Sequence, residues 1–273
     1  MVAIRKSAAR VAEFERVVWE VFFQSKNRGI SLLRHFPWIA NGDDLAYYMV
    51  AELEGQVIGG LAVREWVGGS IYSHKVKIGL IGLVCIAPIF RGRGISNALV
   101  DATLKQAADD GFDVLTLWTG KPDLYRRHGF VNADIWTYGW VRRTQIRQPR
   151  ALLLNCSANL VEKPSAPIPP FALSTHEMIG AQSSVFLVKD STGWIVTGYL
   201  GDVREAVSSM RAILPENWRV NLEKGDILLD ELKNQGYDLD LKPVNLQMWF
   251  CINSNYPVAQ LVKKLHIPVL DRI

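Results

Sequence analysis

"KIGLIGLVCIAPIFRGRGIS", residues 77–96, joins an apolar run ending in proline to a turn that carries two glycines and two arginines. The run has the length and composition of a buried strand. The segment that follows, "SNALVDATLKQAADDG", sets Ala98, Leu99, Ala102, Leu104 and Ala107 on one helical stripe, with Gly111 where a helix commonly stops. Residues 87–95 therefore turn a strand into a helix. At such a turn the first N–H groups of the helix lack partners and point outward with the positive end of the dipole, so the turn attracts anions. Gly92 and Gly94 remove the Cβ atoms that would hold a phosphate off the backbone, and Arg91 and Arg93 add charge and bidentate donors. An ordinary strand-to-helix turn also uses glycine for its dihedrals. Four such features in so short a stretch favour a phosphate cradle.

Working outward, residues 8–24 space Val11, Phe14, Val17, Val18, Val21 and Phe22 as an amphipathic helix. "AYYMVAEL" and "VIGGLAVREW", separated by "EGQ", form a hairpin, and a third strand covers residues 76–86. After the central helix come the strand "FDVLTLW", a short helix in "KPDLYRRHGF" and the strand "ADIWTYGWVRR". The order predicts an α/β fold: a mixed, mostly antiparallel sheet flanked by helices, with the glycine turn at its centre.

Composition sets the limits. A chain of 273 residues with 49% hydrophobic and 21% charged residues is an ordinary globular protein. Its 31 Lys+Arg against 27 Asp+Glu give a net charge of +4, too weak and too evenly spread for a nucleic-acid surface. Cysteines at 85, 156 and 251 form no close pair, so neither a disulfide framework nor a metal site is expected. No apolar run reaches transmembrane length and the first residues lack a signal-peptide core, which predicts a cytoplasmic protein that does not engage a membrane.

Three phosphate loops compete for residues 89–96. A Walker A loop needs Gly-Lys-Ser/Thr, and Gly94 is followed by Ile95 and Ser96. A dinucleotide fingerprint needs a third glycine where Asn97 stands. The stretch instead resembles motif A of the GNAT superfamily of acetyl-coenzyme A-dependent N-acyltransferases, Gln/Arg-x-x-Gly-x-Gly/Ala after a strand. Arg91 and Gly94 fill the first two positions, and Ser96 departs from the third. About thirty residues on, "LYRRHGF" is similar to the family's Tyr-x-x-x-Gly-Phe segment through Tyr125, Gly129 and Phe130.

The resemblance implies a GNAT fold and acetyl-coenzyme A as co-substrate. It implies that the backbone of Val84, Cys85 and Ile86 pairs with the pantetheine arm. Residues Arg91, Gly92, Arg93, Gly94, Ile95 and Ser96 would hold the pyrophosphate, and Tyr125 would be the general acid. A phenol with pKa of about 10 can protonate a departing thiolate without prior ionisation; an amphipathic core tyrosine is the alternative reading. The family often places a glutamate on the central strand as base, but this strand carries no carboxylate, and Glu65, His74, Glu52 and Asp43 are nearest in sequence. No base is assigned. The family's substrate wall maps onto Asn27, Arg28, His35, Phe36 and Trp38, an aromatic and basic set that suits a small-molecule amine such as an amino sugar or nucleotide-linked amino sugar; core packing of Phe36 and Trp38 is the other reading.

The resemblance covers residues 8–145, so the expected organisation is a GNAT domain over 1–150, a Pro-rich linker over 151–172 and a C-terminal domain over 173–273. That last part, smaller and α/β, is similar to a degenerate second GNAT-like half. "LKNQGY" stands where "YRRHGF" stood, with Leu232 in place of the tyrosine, and no Arg-x-x-Gly-x-Gly occurs near "GYLGDVREA". It is expected not to bind coenzyme A, and either to complete the acceptor pocket or to form a homodimer interface. The function read from the sequence is N-acetylation of a small amine; a non-catalytic coenzyme A-binding regulator and a protein acetyltransferase are the alternatives.

Overall fold

The computed structural model describes residues 1–26, 30–40, 42, 45–67, 70–71, 74–144, 158–253 and 256–272, without the side chains of 70, 71 and 74. In chain order the first elements are β1 (Val2–Ser7), α1 (Ala12–Phe22), α2 (Leu32–His35), α3 (Pro37–Ala40), β2 (Ala46–Leu53) and β3 (Gln56–Trp66). The two-residue strands β4 (Ser70–Ile71) and β5 (His74–Lys75) follow, then β6 (Ile78–Ile86), α4 (Ile95–Asp109), β7 (Val114–Trp118), α5 (Pro122–Arg126) and β8 (Val131–Asn132). Next are β9 (Trp136–Arg143), β10 (Asn159–Glu162), β11 (Ser174–Ile179), β12 (Ser183–Asp190), β13 (Gly193–Gly201), α6 (Val203–Ile213), β14 (Asn217–Glu223), α7 (Ile227–Asn234) and β15 (Tyr237–Pro243). The chain ends with β16 (Gln247–Cys251) and α8 (Val258–Lys264).

Two seven-stranded mixed sheets result, in the orders β1-β2-β3-β6-β7-β16-β8 and β10-β11-β12-β13-β14-β9-β15. The predicted fold class is the observed one. The orders correspond strand for strand, and each sheet takes its sixth strand from the far side of the other's sequence. β9, which leaves the first half, lies between β14 and β15, while β16, which leaves the second, lies between β7 and β8.

The compact units are therefore Met1–Asp134 with Asn245–Ile267 and Asp271–Ile273, and Ile135–Val244 with Pro268–Leu270. This corrects the boundaries at 150 and 172, because alternating residues reveal which faces of a strand are buried and not which sheet it joins. Residues 151–157 of the expected linker lie outside the described residues. Of the rest, 159–162 form β10, and the Pro-rich stretch beyond packs down, with Ile168 and Ala172 buried and the Pro167 carbonyl accepting from Thr175 Oγ1 at 2.6 Å. β1 is likewise absent from the sequence reading. It pairs antiparallel with β2 at the sheet edge.

In the first unit the β2–β3 hairpin turns on Glu54 and Gly55 at φ 51 and 79, as a two-residue hairpin turn requires. One face of the sheet carries α4 and α5 over a core that includes Ile58, Leu61, Ile81, Leu99, Leu115, Tyr125 and Met248. The other carries α1, which buries Phe14, Val17 and Val18, with α2 and α3 beside it. In the second unit α6 and α7 cover one face with Val207, Met210, Leu228 and Leu232.

Candidate active site

β6 and β7 run parallel and pair through Ile78↔Val114, Gly79↔Leu115 and Leu80↔Thr116, after which they part, although β6 continues to Ile86 and β7 to Trp118. The cause lies on the opposite edge of β6. Gly60 pairs with Cys85 but Ala62 with Gly82, so one residue of β3 faces two of β6. This is a β-bulge, and it bends the strand away from β7. Leu83 sits in it at φ 56, a conformation that costs an L-residue about 1 kcal/mol. Burial of its side chain with Phe14 and Val57 holds it there. The adjacent backbones come close enough that a Cβ on Gly59 would lie 2.5 Å from the Cys85 carbonyl oxygen, and one on Gly60 2.5 Å from that of Met49. The sequence reading did not find the bulge; paired glycines inside a strand were its available signal.

Parting leaves the β7 side of residues 81–86 without strand partners among the described residues, an edge that suits an extended amide-bearing arm. Cys85 and Ile86 are buried and Val84 half-buried, so what they offer there is backbone. Burial pushes the Cys85 thiol up to about 12, which keeps it protonated and a poor nucleophile.

The strand runs through a short 3₁₀ turn, Pro88–Phe90, into Arg91–Gly94 and then α4. Gly94 is the N-cap at φ 74, and no side chain caps the helix; its first turn holds no acidic residue. Gly92 has φ 76, and a Cβ at either glycine would meet nothing within 4 Å. The backbone is thus open on the side where an anion would approach, and the helix dipole points at it. Arg91 Nε donates to the Ile86 carbonyl at 3.0 Å, fastening the turn to the strand end. Arg93 lies over the Phe90 ring at 5.5 Å. Ile95 is buried in the core and contributes only its backbone, while Ser96 is half-buried in the first turn.

Tyr125 belongs to α5, which Pro122 starts and which is followed by a turn closing at Gly129, φ 91. The ring is 5% exposed, and burial pushes the hydroxyl up to about 12, so it stays protonated at neutral pH. Phe130 packs edge-on against Tyr125 at 5.8 Å, which accounts for the aromatic residue of the Tyr-x-x-x-Gly-Phe segment. His128 Nδ1 lies 2.7 Å from Asp101 Oδ1 and ties the end of α5 to α4.

The other candidates do not join this site. Glu52 pairs with Arg5 at 2.7 Å and Glu65 with Lys77 at 3.6 Å. Asp43, Asn27, Arg28 and the His74 side chain lie outside the described residues. His35, Phe36 and Trp38 are core: His35 stacks on Phe23 at 4.8 Å, Phe36 meets Trp38 edge-on at 6.1 Å, and Trp38 stacks on Tyr48 at 6.3 Å. His35 is thus buried and Phe36 packs into the core as the alternative reading has it, while Trp38 also lines a small pocket with Arg10 and Tyr48. Helices as short as α2 and α3 hold their shape only through packing, and these aromatic rings supply it.

The corresponding turn of the second sheet is closed. β13 and β14 likewise pair only briefly, at Ile195↔Arg219 and Val196↔Val220. However, α6 is capped by Asp202, whose carboxylate accepts from Glu205 N at 2.8 Å. The Glu205 carboxylate in turn accepts from Ala181 N at 2.6 Å and Gln182 N at 2.7 Å. Leu232, at the position of the tyrosine, is fully buried.

The first sheet thus parts beside a bulge and runs into a glycine turn that no side chain caps. Residues 11–130 match the profile of the acetyltransferase (GNAT) family. An uncharacterized N-acetyltransferase of Archaeoglobus fulgidus is 31% identical over 102 residues, 37% of this chain and 67% of that protein. One of Methanocaldococcus jannaschii is 28% identical over 114 residues, 40% of this chain and 48% of its own length, so the match spans about half of that relative. The chain belongs to the GNAT acetyltransferase family. Beyond the matched segment, the GCN5-related N-acetyltransferase structure from Kribbella flavida superposes on 93% of this chain and 72% of its own, with a TM-score of 0.61 at 13% identity. That from Anabaena variabilis covers 92% and 73%, with a TM-score of 0.59 at 16% identity. These two likenesses concern the fold, and they extend over both sheets.

Proposed function

We propose that this protein transfers an acetyl group from acetyl-coenzyme A to the amine of a small molecule by direct attack. The observation that carries the reading is the continuity of the parted β6–β7 edge with the uncapped turn at Gly92 and Gly94. Backbone groups of Val84, Cys85 and Ile86 would hold the pantetheine arm, and Arg91, Gly92, Arg93, Gly94, Ile95 and Ser96 the pyrophosphate. Bound there, acetyl-coenzyme A supplies an activated thioester.

The residues of the chain do the rest. Backbone N–H groups on the β7 side of the bulge would be fixed donors for charge developing on a carbonyl oxygen. Tyr125, held protonated by burial, returns a proton from its hydroxyl to a thiolate. The protonated Cys85 thiol speaks against an acyl-cysteine route and for direct attack. With Phe36 in the core the aromatic wall expected for an amino sugar is reduced, so the acceptor is read as a small amine without further class. The cofactor unit is residues 1–134 completed by β16, and the second unit binds no coenzyme A, its α6 turn being filled by carboxylates.

The test is thiol release from acetyl-coenzyme A against a panel of amines, with calorimetric binding in parallel. Binding with release on one class of amine supports the enzyme. Binding without release on any amine returns the regulatory reading, and absence of binding refutes the cradle.

A further inference from the structure

We infer that Phe250, on the strand that enters the first sheet only after the second is complete, is a positioning residue for the Tyr125 hydroxyl. The inference rests on the proton-donor reading of Tyr125 given above.

Topology carries the first step. α5 connects β7 to β8, and β16 lies between those two strands, so α5 has to cross over β16. Five residues starting at a proline, without a side-chain cap, do not hold a helix by themselves. The orientation of α5 is therefore set by what it rests on, and the residues of β16 that pack into the α5-side core are Met248 and Phe250.

Side-chain packing carries the second. Phe250 lies against Phe130 at 5.2 Å between ring centroids, and Phe130 against Tyr125 at 5.8 Å. Phe250 also occupies the space above Gly129, where a Cβ would stand 3.2 Å from its ring. Three consecutive contacts thus fix both the turn that ends α5 and the ring that carries the hydroxyl. The strand beneath them is paired on both sides. It pairs with β7 from Gln247↔Trp118 to Cys251↔Val114 and with β8 at Met248 and Trp249. Gln247 Nε2 donates to Thr116 Oγ1 at 3.2 Å, Thr116 Oγ1 donates to the Met248 carbonyl at 2.9 Å, and Trp249 Nε1 donates to the Ala133 carbonyl at 2.9 Å. β16 pairs with β7 and β8 and not with β6, the strand that leads into the glycine turn, so loosening α5 is expected to act on proton delivery and to leave cofactor binding alone. The second unit thereby serves the first without a ligand of its own: the chain must pass through it to deliver β16.

The experiment is a double-mutant cycle in the full-length chain, reading turnover with the best amine of the panel and calorimetric affinity for acetyl-coenzyme A. Phe250→Ala is expected to cut turnover at least about tenfold, since a misplacement of about 1 Å can cost on the order of 100-fold. Affinity should stay within about twofold. Phe250→Leu, which keeps an apolar floor, should recover part of the loss, and it carries the same comparison if the alanine variant does not fold. In a Tyr125→Phe background, Phe250→Ala should cost nothing more, because the hydroxyl it positions is gone. Equal loss of turnover and affinity, or an undiminished Phe250 effect in that background, overturns the inference. A silent Phe250→Ala beside a damaging Tyr125→Phe overturns it alone, whereas a silent Tyr125→Phe removes the proton-donor reading and the inference with it.

Discussion

The turns after β6 and after β13 occupy the same place in two sheets of the same order, yet glycine serves opposite ends in them. Gly94 adjoins open space, and the helix behind it has neither a side-chain cap nor an acid in its first turn. Gly201 is required because a side chain there would collide with the Gln182 carbonyl, and the helix behind it is capped by Asp202 and bears Glu205 in its first turn. The Asp202 carboxylate takes an N–H of α6, and the Glu205 carboxylate takes those of Ala181 and Gln182 beside it, whereas no side chain caps α4. One strand order thus carries an open turn in one sheet and a capped joint in the other, and the difference comes down to a few residues.

The comparison breaks most sharply at Gly94. Gly94→Val forces a β-branched side chain into φ 74 and into the approach to the turn, so acetyl-coenzyme A binding should fall by more than about 100-fold in calorimetry while the near-ultraviolet circular dichroism stays native. Unchanged affinity would show that the turn is only a turn. Next in size, Tyr125→Phe should lower turnover roughly 100-fold with affinity preserved. Equal loss of both would make the tyrosine a packing residue.

A smaller change makes the first turn resemble the second: Ser96→Asp adds an acid to the first turn of α4 and should weaken binding roughly tenfold, an effect that fades with salt. The reverse end is Asp202→Ala, which removes the α6 cap. It should cost about 1 kcal/mol in denaturant unfolding and leave acetyl-coenzyme A affinity untouched. A second binding event in that variant would mean that carboxylates alone had kept the second turn silent.

Much of the first turn was legible because its chemistry is local. Glycines at positive φ, an apolar strand before them and an amphipathic helix after them are all written within residues 77–110. What escaped depends on partners distant in sequence. β1 is a six-residue edge strand whose alternation is carried by few residues. The bulge at Leu83 is visible only in register with Gly60 and Ala62. Nothing in "VNLQMWFCI" tells that it returns to the first sheet, since an apolar strand satisfies either core. Phe36 and Trp38 show the same limit: aromatic residues in a short helical segment fit a wall or a core equally, until the stack with Phe23, His35 and Tyr48 decides.

The stoichiometry of acetyl-coenzyme A in a calorimetric titration of the full-length chain tests the contrast between the two turns most directly. One molecule bound per chain, lost in Gly94→Val and kept in Asp202→Ala, is the predicted result. Two equivalents per chain, or one that survives Gly94→Val, would contradict it.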